Sequence, residues 1–316
     1  MEYQNQVAKI LQNIERVMIG KEREVTLSLV ALLADGHVLL EDVPGVGKTM
    51  MVRALSKSLD CEFKRIQFTP DLLPSDVTGV SIYNPKEMVF EFRSGPIFGD
   101  IVLADEINRT SPKTQSALLE AMEEMNVTVD GMTKSLNKPF FVMATQNPVD
   151  YEGTYPLPEA QLDRFLMKLS MGYPNEVDEF EMLNRTDRQH PIDEITPVIH
   201  KEELIEMQKE VDSLYVDATV KRYIVQLVSA TRTSNFVQLG VSPRGSIALM
   251  KAAKAHAYIQ DRDYVIPDDV VKLAPYVMAH RIILRPEARY EGVTQEKLIT
   301  QILDEIDVPV RKELHG

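Results

Sequence analysis

One cysteine in 316 residues, Cys61, excludes an internal disulfide and any cysteine-rich metal site. It has no basic or histidine neighbour in the sequence, so nothing argues for a reactive thiolate. Basic residues are also short, 35 Lys and Arg against 48 Asp and Glu, and the formal net charge is −13. A charge of that sign repels phosphate backbones, so indiscriminate nucleic-acid binding is unfavourable, although a local basic groove stays open. No stretch approaches the ~18 uninterrupted apolar residues that a spanning helix needs, so no direct membrane insertion is expected. The opening MEYQNQVAKI has no basic flank leading into an apolar run, and no signal peptide is expected from it. The six histidines show no ligand spacing. His200, His256 and His280 lie in helical text, where packing or solvation explains them more simply than a metal. Internal repeats and low-complexity tracts are absent as well. A soluble, cytoplasmic protein is the expectation, with hydrophobic residues at 44% supplying real cores.

What is present centres on Glu41 to Thr49, EDVPGVGKT, which follows the apolar run Val38-Leu39-Leu40. Met51, Leu55 and Leu59 then recur at a spacing of four, which predicts a helix. A strand, a glycine-bearing turn and a helix are the setting in which backbone amides and a helix N-terminus hold phosphate. Pro44, Gly45, Val46, Gly47, Lys48, Thr49 and Met50 form the expected cradle. Lys48 would reach the terminal phosphates of a nucleotide, and the Thr49 hydroxyl would ligate the magnesium they carry. The match to G-x-x-x-x-G-K-[ST] has one departure, Asp42 in place of the first glycine. A dinucleotide fingerprint fits worse, since its third glycine position holds Met50.

Chain length suggests about two domains. Phe63 to Phe68, Ile101 to Ala104, Phe140 to Ala144 and Phe165 to Leu169 read as further strands. Ser111 and Pro112 cap and start a helix whose buried stripe is Leu118, Ala121, Met122 and Met125. Strands alternating with helices predict a parallel α/β domain. Two hairpins interrupt it, one turning near Asn84-Pro85 and one at Asp130-Gly131. Tyr83, Phe90 and Phe92 are taken as packing of the first. After Gly172-Tyr173-Pro174 the pattern turns helical, with helices around Val220 to Val228, after Ser242-Pro243, and around Val270 to Val277. The expected division is residues 1–172, carrying an insert at about 76–94 and a hairpin at about 126–138, and a helical domain over 173–316.

Asp105 and Glu106 close the apolar run at 101–104, and strand C-termini are where ligands sit in parallel sheets. Asp105 suits magnesium and Glu106 suits polarising an attacking water. Asn147, in ATQNP, could orient that water or touch the terminal phosphate, or it could simply cap its strand. Arg164 in LDRF and Arg244 in SPRG are candidates for the cation that phosphoryl transfer requires, or are surface ion-pair residues. Arg244, in the first turn of its helix, could reach back to the nucleotide and report its state through domain closure.

In order, EDVPGVGKT, LADEINRTSPKTQSALLEAMEE, ATQNP, LPEAQLDRF and SPRGSIAL resemble the AAA+ ATPases, and specifically their MoxR group. The resemblance implies a P-loop NTPase fold, with a central parallel sheet and an all-helical C-terminal lid. It implies a hexameric ring with ATP and Mg2+ between subunits. It makes Lys48 and Thr49 the phosphate-loop lysine and magnesium ligand, Asp105 the metal-site acid and Glu106 the catalytic base. Asn147 matches the first sensor, Arg244 the second, and Arg164 the finger offered to the neighbouring subunit. Ile19 and Gly20 look like part of an adenine pocket, and both hairpins would face a pore. Chaperone-like work on client proteins is implied, with partners that carry a von Willebrand factor A domain. The rival readings are a nucleic-acid-stimulated motor of the related helicase clade and a non-hydrolysing nucleotide switch. Net acidity argues against the first and the intact acid pair against the second.

Overall fold

The computed structural model describes residues 3–147, 153–186 and 191–309. Pro148 of the ATQNP motif lies outside them. Two helices open the chain, α1 (Gln6–Glu15) and α2 (Glu22–Leu33), followed by β1 (Val38–Glu41) and, after the glycine turn, α3 (Lys48–Ser58). Then come β2 (Phe63–Gln67), α4 (Pro74–Thr78), the hairpin β3 (Gly79–Asn84) and β4 (Val89–Ser94), and β5 (Ile101–Asp105). Helix α5 (Pro112–Glu124) leads to the hairpin β6 (Asn126–Val129) and β7 (Met132–Ser135), then β8 (Phe141–Gln146), α6 (Glu159–Leu162) and β9 (Met167–Leu169). Five strands make one parallel sheet in the order β2-β5-β8-β1-β9.

The strands read as continuous apolar runs because both faces of the sheet are covered, and successive residues serve opposite faces. Ile101 and Leu103 of β5, with Phe141 and Met143 of β8, join the core over α1, α2 and α3. Val102, Ala104, Val142 and Ala144 join a second core with Leu118 and Met122 of α5. Ser111 caps α5 as its sequence predicts, accepting from the Thr114 amide at 3.4 Å. At the second hairpin, Asp130 and Gly131 take φ of 52° and 76°, the pair of positive values that this turn requires.

The first core continues across the end of the sheet into the rest of the chain. This part comprises α7 (Glu176–Thr186), α8 (Lys201–Asp212), α9 (Ala218–Thr233), α10 (Pro243–Ile259), α11 (Pro267–Met278), α12 (Pro286–Tyr290) and α13 (Gln295–Glu305). Leu204, Met207, Leu249 and Ala252 bury against the same cluster as Leu29 and Leu33 of α2. The lid is therefore fused to the α/β layer through shared apolar packing. Expected to be all helical, it also carries a short antiparallel ribbon, β10 (Val237–Leu239) with β11 (Ile283–Leu284).

The two hairpins lie together, the Lys134 ammonium 4.4 Å from the Phe92 ring centre. Packing accounts for Phe92, which meets Phe98 edge-on at 5.7 Å. Tyr83 and Phe90 pair with each other at 5.3 Å yet stay open to solvent, Phe90 at 73%.

His37, just before β1, ties the two cores together. Its Nε2 donates to the Met122 carbonyl at 3.2 Å and its Nδ1 accepts from the Val142 amide at 3.1 Å, a pattern only the neutral ring can make. Burial pushes its pKa down to about 4. Between that value and the ordinary ~6.5, the unfolded chain takes up a proton that the folded one refuses, so stability falls as pH drops through this window. The contribution is on the order of 3 kcal/mol, levelling off below about pH 4. Urea titrations at pH 7 and pH 4.5 should show a smaller drop for His37→Gln than for the parent; equal drops would remove His37 as the cause.

Candidate active site

Strands β1, β2, β5 and β8 run the same way, so Glu41, Gln67, Asp105 and Gln146 finish on one edge of the sheet. The turn after β1 crosses that edge. Gly45 and Gly47 take φ of 87° and 91°, values costly for any residue with a Cβ, and Gly47 caps α3 from the left-handed region. The cleft that results, about 450 Å³, is lined by Pro44, Gly45, Gly47, Lys48, Thr49 and Met50 from the turn. Asp105, Glu106 and Asn147 line its other wall. Val46 turns inward and is buried. Desolvation lowers the Lys48 pKa, while Asp42, Asp105 and Glu106 pull it back up, which places the ammonium in the field of all three acids. Its Nζ donates to the Asp42 carbonyl at 3.1 Å.

Asp42 stands where the motif has glycine because its side chain is used. It is buried, and Oδ2 accepts from the Met171 amide, the Gly172 amide at 2.8 Å and the Ser170 hydroxyl at 3.3 Å. Lys21 donates to the carbonyls of Met171, Gly172 and Tyr173 from the other side. The phosphate loop and the start of the lid are thereby clamped to one another. Ile19 and Gly20 lie beside this clamp, outside the lining of the cleft. Gly20 has φ of 66° and approaches so closely that a Cβ there would meet the Asp178 carboxylate of α7. Met18 reaches the back of Gly47.

Glu106 is a non-glycine residue at φ 59°, ψ 48°, a conformation costing roughly 1–2 kcal/mol. It is held there by its own amide, which donates to Thr145 Oγ1 at 2.8 Å, and that hydroxyl donates to Asp105 Oδ1 at 2.7 Å. Glu106 Oε2 accepts from Gln67 Nε2 at 3.0 Å and faces Arg109 at 3.4 Å. Asp105 Oδ2 pairs with Arg65 at 2.6 Å. Arg65, Gln67 and Thr145 are site residues that motif spacing did not reveal. The one signal for Gln67 was its place at the C-terminal end of a predicted strand. Among the described residues no three His, Cys, Asp or Glu gather as a metal cage. The donor set of Thr49 and Asp105 beside a phosphate cradle fits magnesium, which takes one or two protein oxygens plus substrate phosphates.

Arg164 and Arg244 are not brought to this cleft. Arg164 precedes β9, where the Leu166 amide donates to the His37 carbonyl at 2.8 Å, so it sits at the opposite edge of the sheet. Arg244, in the first turn of α10, joins it there around a cavity of about 260 Å³ that Gly36 and His37 also line. Four residues of β1 separate the two edges, about 13 Å. Of the two readings open for Arg244, a reach to the nucleotide or a surface ion pair, this structure displays the ion pair, with α10 packed beside α2. Both arginines ion-pair instead with Glu123 at the end of α5. Cys61 is half-buried, with its thiol pKa pushed up to about 12 chiefly by desolvation, in keeping with an unreactive side chain.

Residues 37–167 match the family described as "ATPase family associated with various cellular activities (AAA)", and residues 229–302 match the AAA lid domain. The chain is 64% identical to a Bacillus subtilis (strain 168) protein called YeaC, over 97% of this chain and 96% of that one. It is 40% identical to Chaperone MoxR1 of Mycobacterium tuberculosis, over 94% of this chain and 80% of the relative. A crystal structure of a candidate ATPase from Cytophaga hutchinsonii superposes with a TM-score of 0.92 at 39% identity, covering 98% and 96% of the two chains. An MCM homologue from Methanopyrus kandleri shares the fold alone, with a TM-score of 0.59 at 18% identity.

Removing the Asp42 carboxylate leaves two amides at the clamp without their acceptor. Asp42→Ala should cost about 2–3 kcal/mol of stability in urea titration, against well under 1 kcal/mol for an exposed acid such as Glu87. Equal midpoints for the two variants would contradict the clamp.

Proposed function

Because the chain belongs to the MoxR group of AAA+ ATPases, we propose that it hydrolyses ATP as a ring, hexameric as in the resemblance above, that remodels client protein complexes. The observation that carries the reading is the split of the catalytic set. Phosphate loop, acids and Asn147 share one edge of the sheet, and the two arginines share the other. A subunit with this layout supplies half a site at each edge, and neighbours in a ring bring unlike halves together.

In this reading the amides at Gly45 to Thr49 and the Lys48 ammonium hold the β- and γ-phosphates of the substrate. Magnesium, when bound by Thr49 and Asp105, neutralises charge on those phosphates. Glu106 accepts a proton from the attacking water, and its Gln67 and Arg109 contacts fix the carboxylate. Asn147 orients the water or the γ-phosphate. Arg164, with Arg244 beside it, offsets the charge that builds on the transferring group in the neighbour's site. Tyr83, Met88 and Phe90 of the first hairpin, all exposed, supply an apolar grip on a protein client. Partners with a von Willebrand factor A domain belong to the same proposal, as does a cytoplasmic location.

Glu106→Gln should keep ATP affinity and lose turnover about 10²–10⁴-fold, whereas Lys48→Ala should lose tight binding. Equal hydrolysis by Glu106→Gln and the parent would overturn the base assignment. Mixing Arg164→Ala subunits, which keep an intact phosphate loop, with Lys48→Ala subunits, which keep an intact finger, should restore part of the activity. No gain over either variant alone would sink the shared site.

A further inference from the structure

We infer that Glu123 is a positioning residue that sets Arg164 and Arg244 side by side for the neighbouring copy's ATP. This rests on the reading that the arginines act across a subunit boundary. One carboxylate divides its oxygens between the two: Oε2 lies 3.0 Å from Arg164 Nε, and Oε1 contacts Arg244 Nη2. The three side chains come from three places, the end of α5, the loop before β9 and the first turn of α10.

Two guanidinium groups at one rim repel, and buried Arg281 behind them adds a third positive charge. Without a carboxylate between them, the two heads would swing apart into solvent. Their backbones have no such freedom. Asp163 accepts from Arg281 Nε at 2.7 Å and from the Ser242 hydroxyl at 2.9 Å, which ties the Arg164 loop to the start of α10. Arg281 Nη2 also donates to the Phe165 carbonyl at 2.7 Å. The scaffold therefore fixes where the two side chains begin, and Glu123 fixes where they end.

The guanidinium of Arg164 is also left with unmet donors. Its Nε is buried and, although close enough to Glu123 for an ion pair, is not aligned for a hydrogen bond. The four N–H groups on its two terminal nitrogens then remain to meet an incoming phosphate. The side chains of Arg164, Arg244 and Glu123 keep 28%, 46% and 32% of their exposure, so the cluster is open to a partner.

Glu123→Gln keeps the size of the side chain but accepts from one arginine and turns an NH2 toward the other. The variant should keep its thermal midpoint and its KM for ATP within about twofold, while kcat falls roughly 10- to 100-fold, the scale of a misplaced catalytic group. Glu123→Asp, with the charge kept and the reach shortened, should fall between the two. In mixed rings Glu123→Gln should gain activity with Lys48→Ala subunits, which bring an intact arginine pair, and gain nothing with Arg164→Ala subunits. An unchanged kcat, or rescue by Arg164→Ala subunits, would overturn the assignment. The Arg164→Ala with Lys48→Ala mixture separates the two levels. If it shows rescue while Glu123→Gln behaves as the parent, only the role of Glu123 falls. If it shows none, the reading beneath falls and takes this inference with it.

Discussion

The polarity of the parallel sheet is the constraint on which the rest depends. Every strand of a parallel sheet ends on the same edge, and that edge collects the loop amides, the Asp105–Glu106 pair and Asn147. Arg164, before β9, and Arg244, on a lid helix, sit at the other edge. A strand cannot be compressed, and an arginine side chain is shorter than β1 is long. One chain thus holds two unlike halves facing opposite ways. The proposed ring draws on that arrangement more than on any single contact.

The lid ties the two edges to one body. Leu204, Met207, Leu249 and Ala252 belong to the same core as α2, so the lid is bonded to the α/β layer over a broad apolar surface. Polar clamps close the seam at both ends. Asp42 and Lys21 hold residues 170–173 beside the phosphate loop, and Asp163, Ser242 and Arg281 hold α10 beside the Arg164 loop. Both edges of the sheet are therefore tied to the same packed body. Buried Arg281 is tolerable in such a place because the Asp163 carboxylate and the carbonyls of Phe165 and Leu166 surround it.

What could be read from the chain was what depends on neighbours in sequence. Alternation along Ile101 to Ala104, the Ser111-Pro112 cap, the Asp130-Gly131 turn and the glycine turn before Lys48 are each set by a few consecutive residues, and each element stands close to where its pattern put it. The placement of Asp105 and Glu106 beside Lys48 follows from strand polarity, so it too was legible. Asp42 looked like a departure from a motif because the amides it serves lie 129 and 130 residues away. The partner of Arg244 was hidden for the same reason, its acid lying 121 residues away on α5. Sequence spacing placed Arg244 in the first turn of a helix but could not say toward which edge of the sheet that helix would pack. The β10–β11 ribbon escaped notice because strands of three and two residues are too short to show a period.

If each site is completed by a second copy, hydrolysis must depend on how many copies meet. The most direct measurement is specific ATPase activity across a wide dilution series, read beside sedimentation of the same samples with ATP bound. The account predicts that activity per subunit rises steeply with concentration and tracks the assembled fraction. Activity per subunit that stays constant down to samples sedimenting as monomers would show that one chain suffices, and would contradict it.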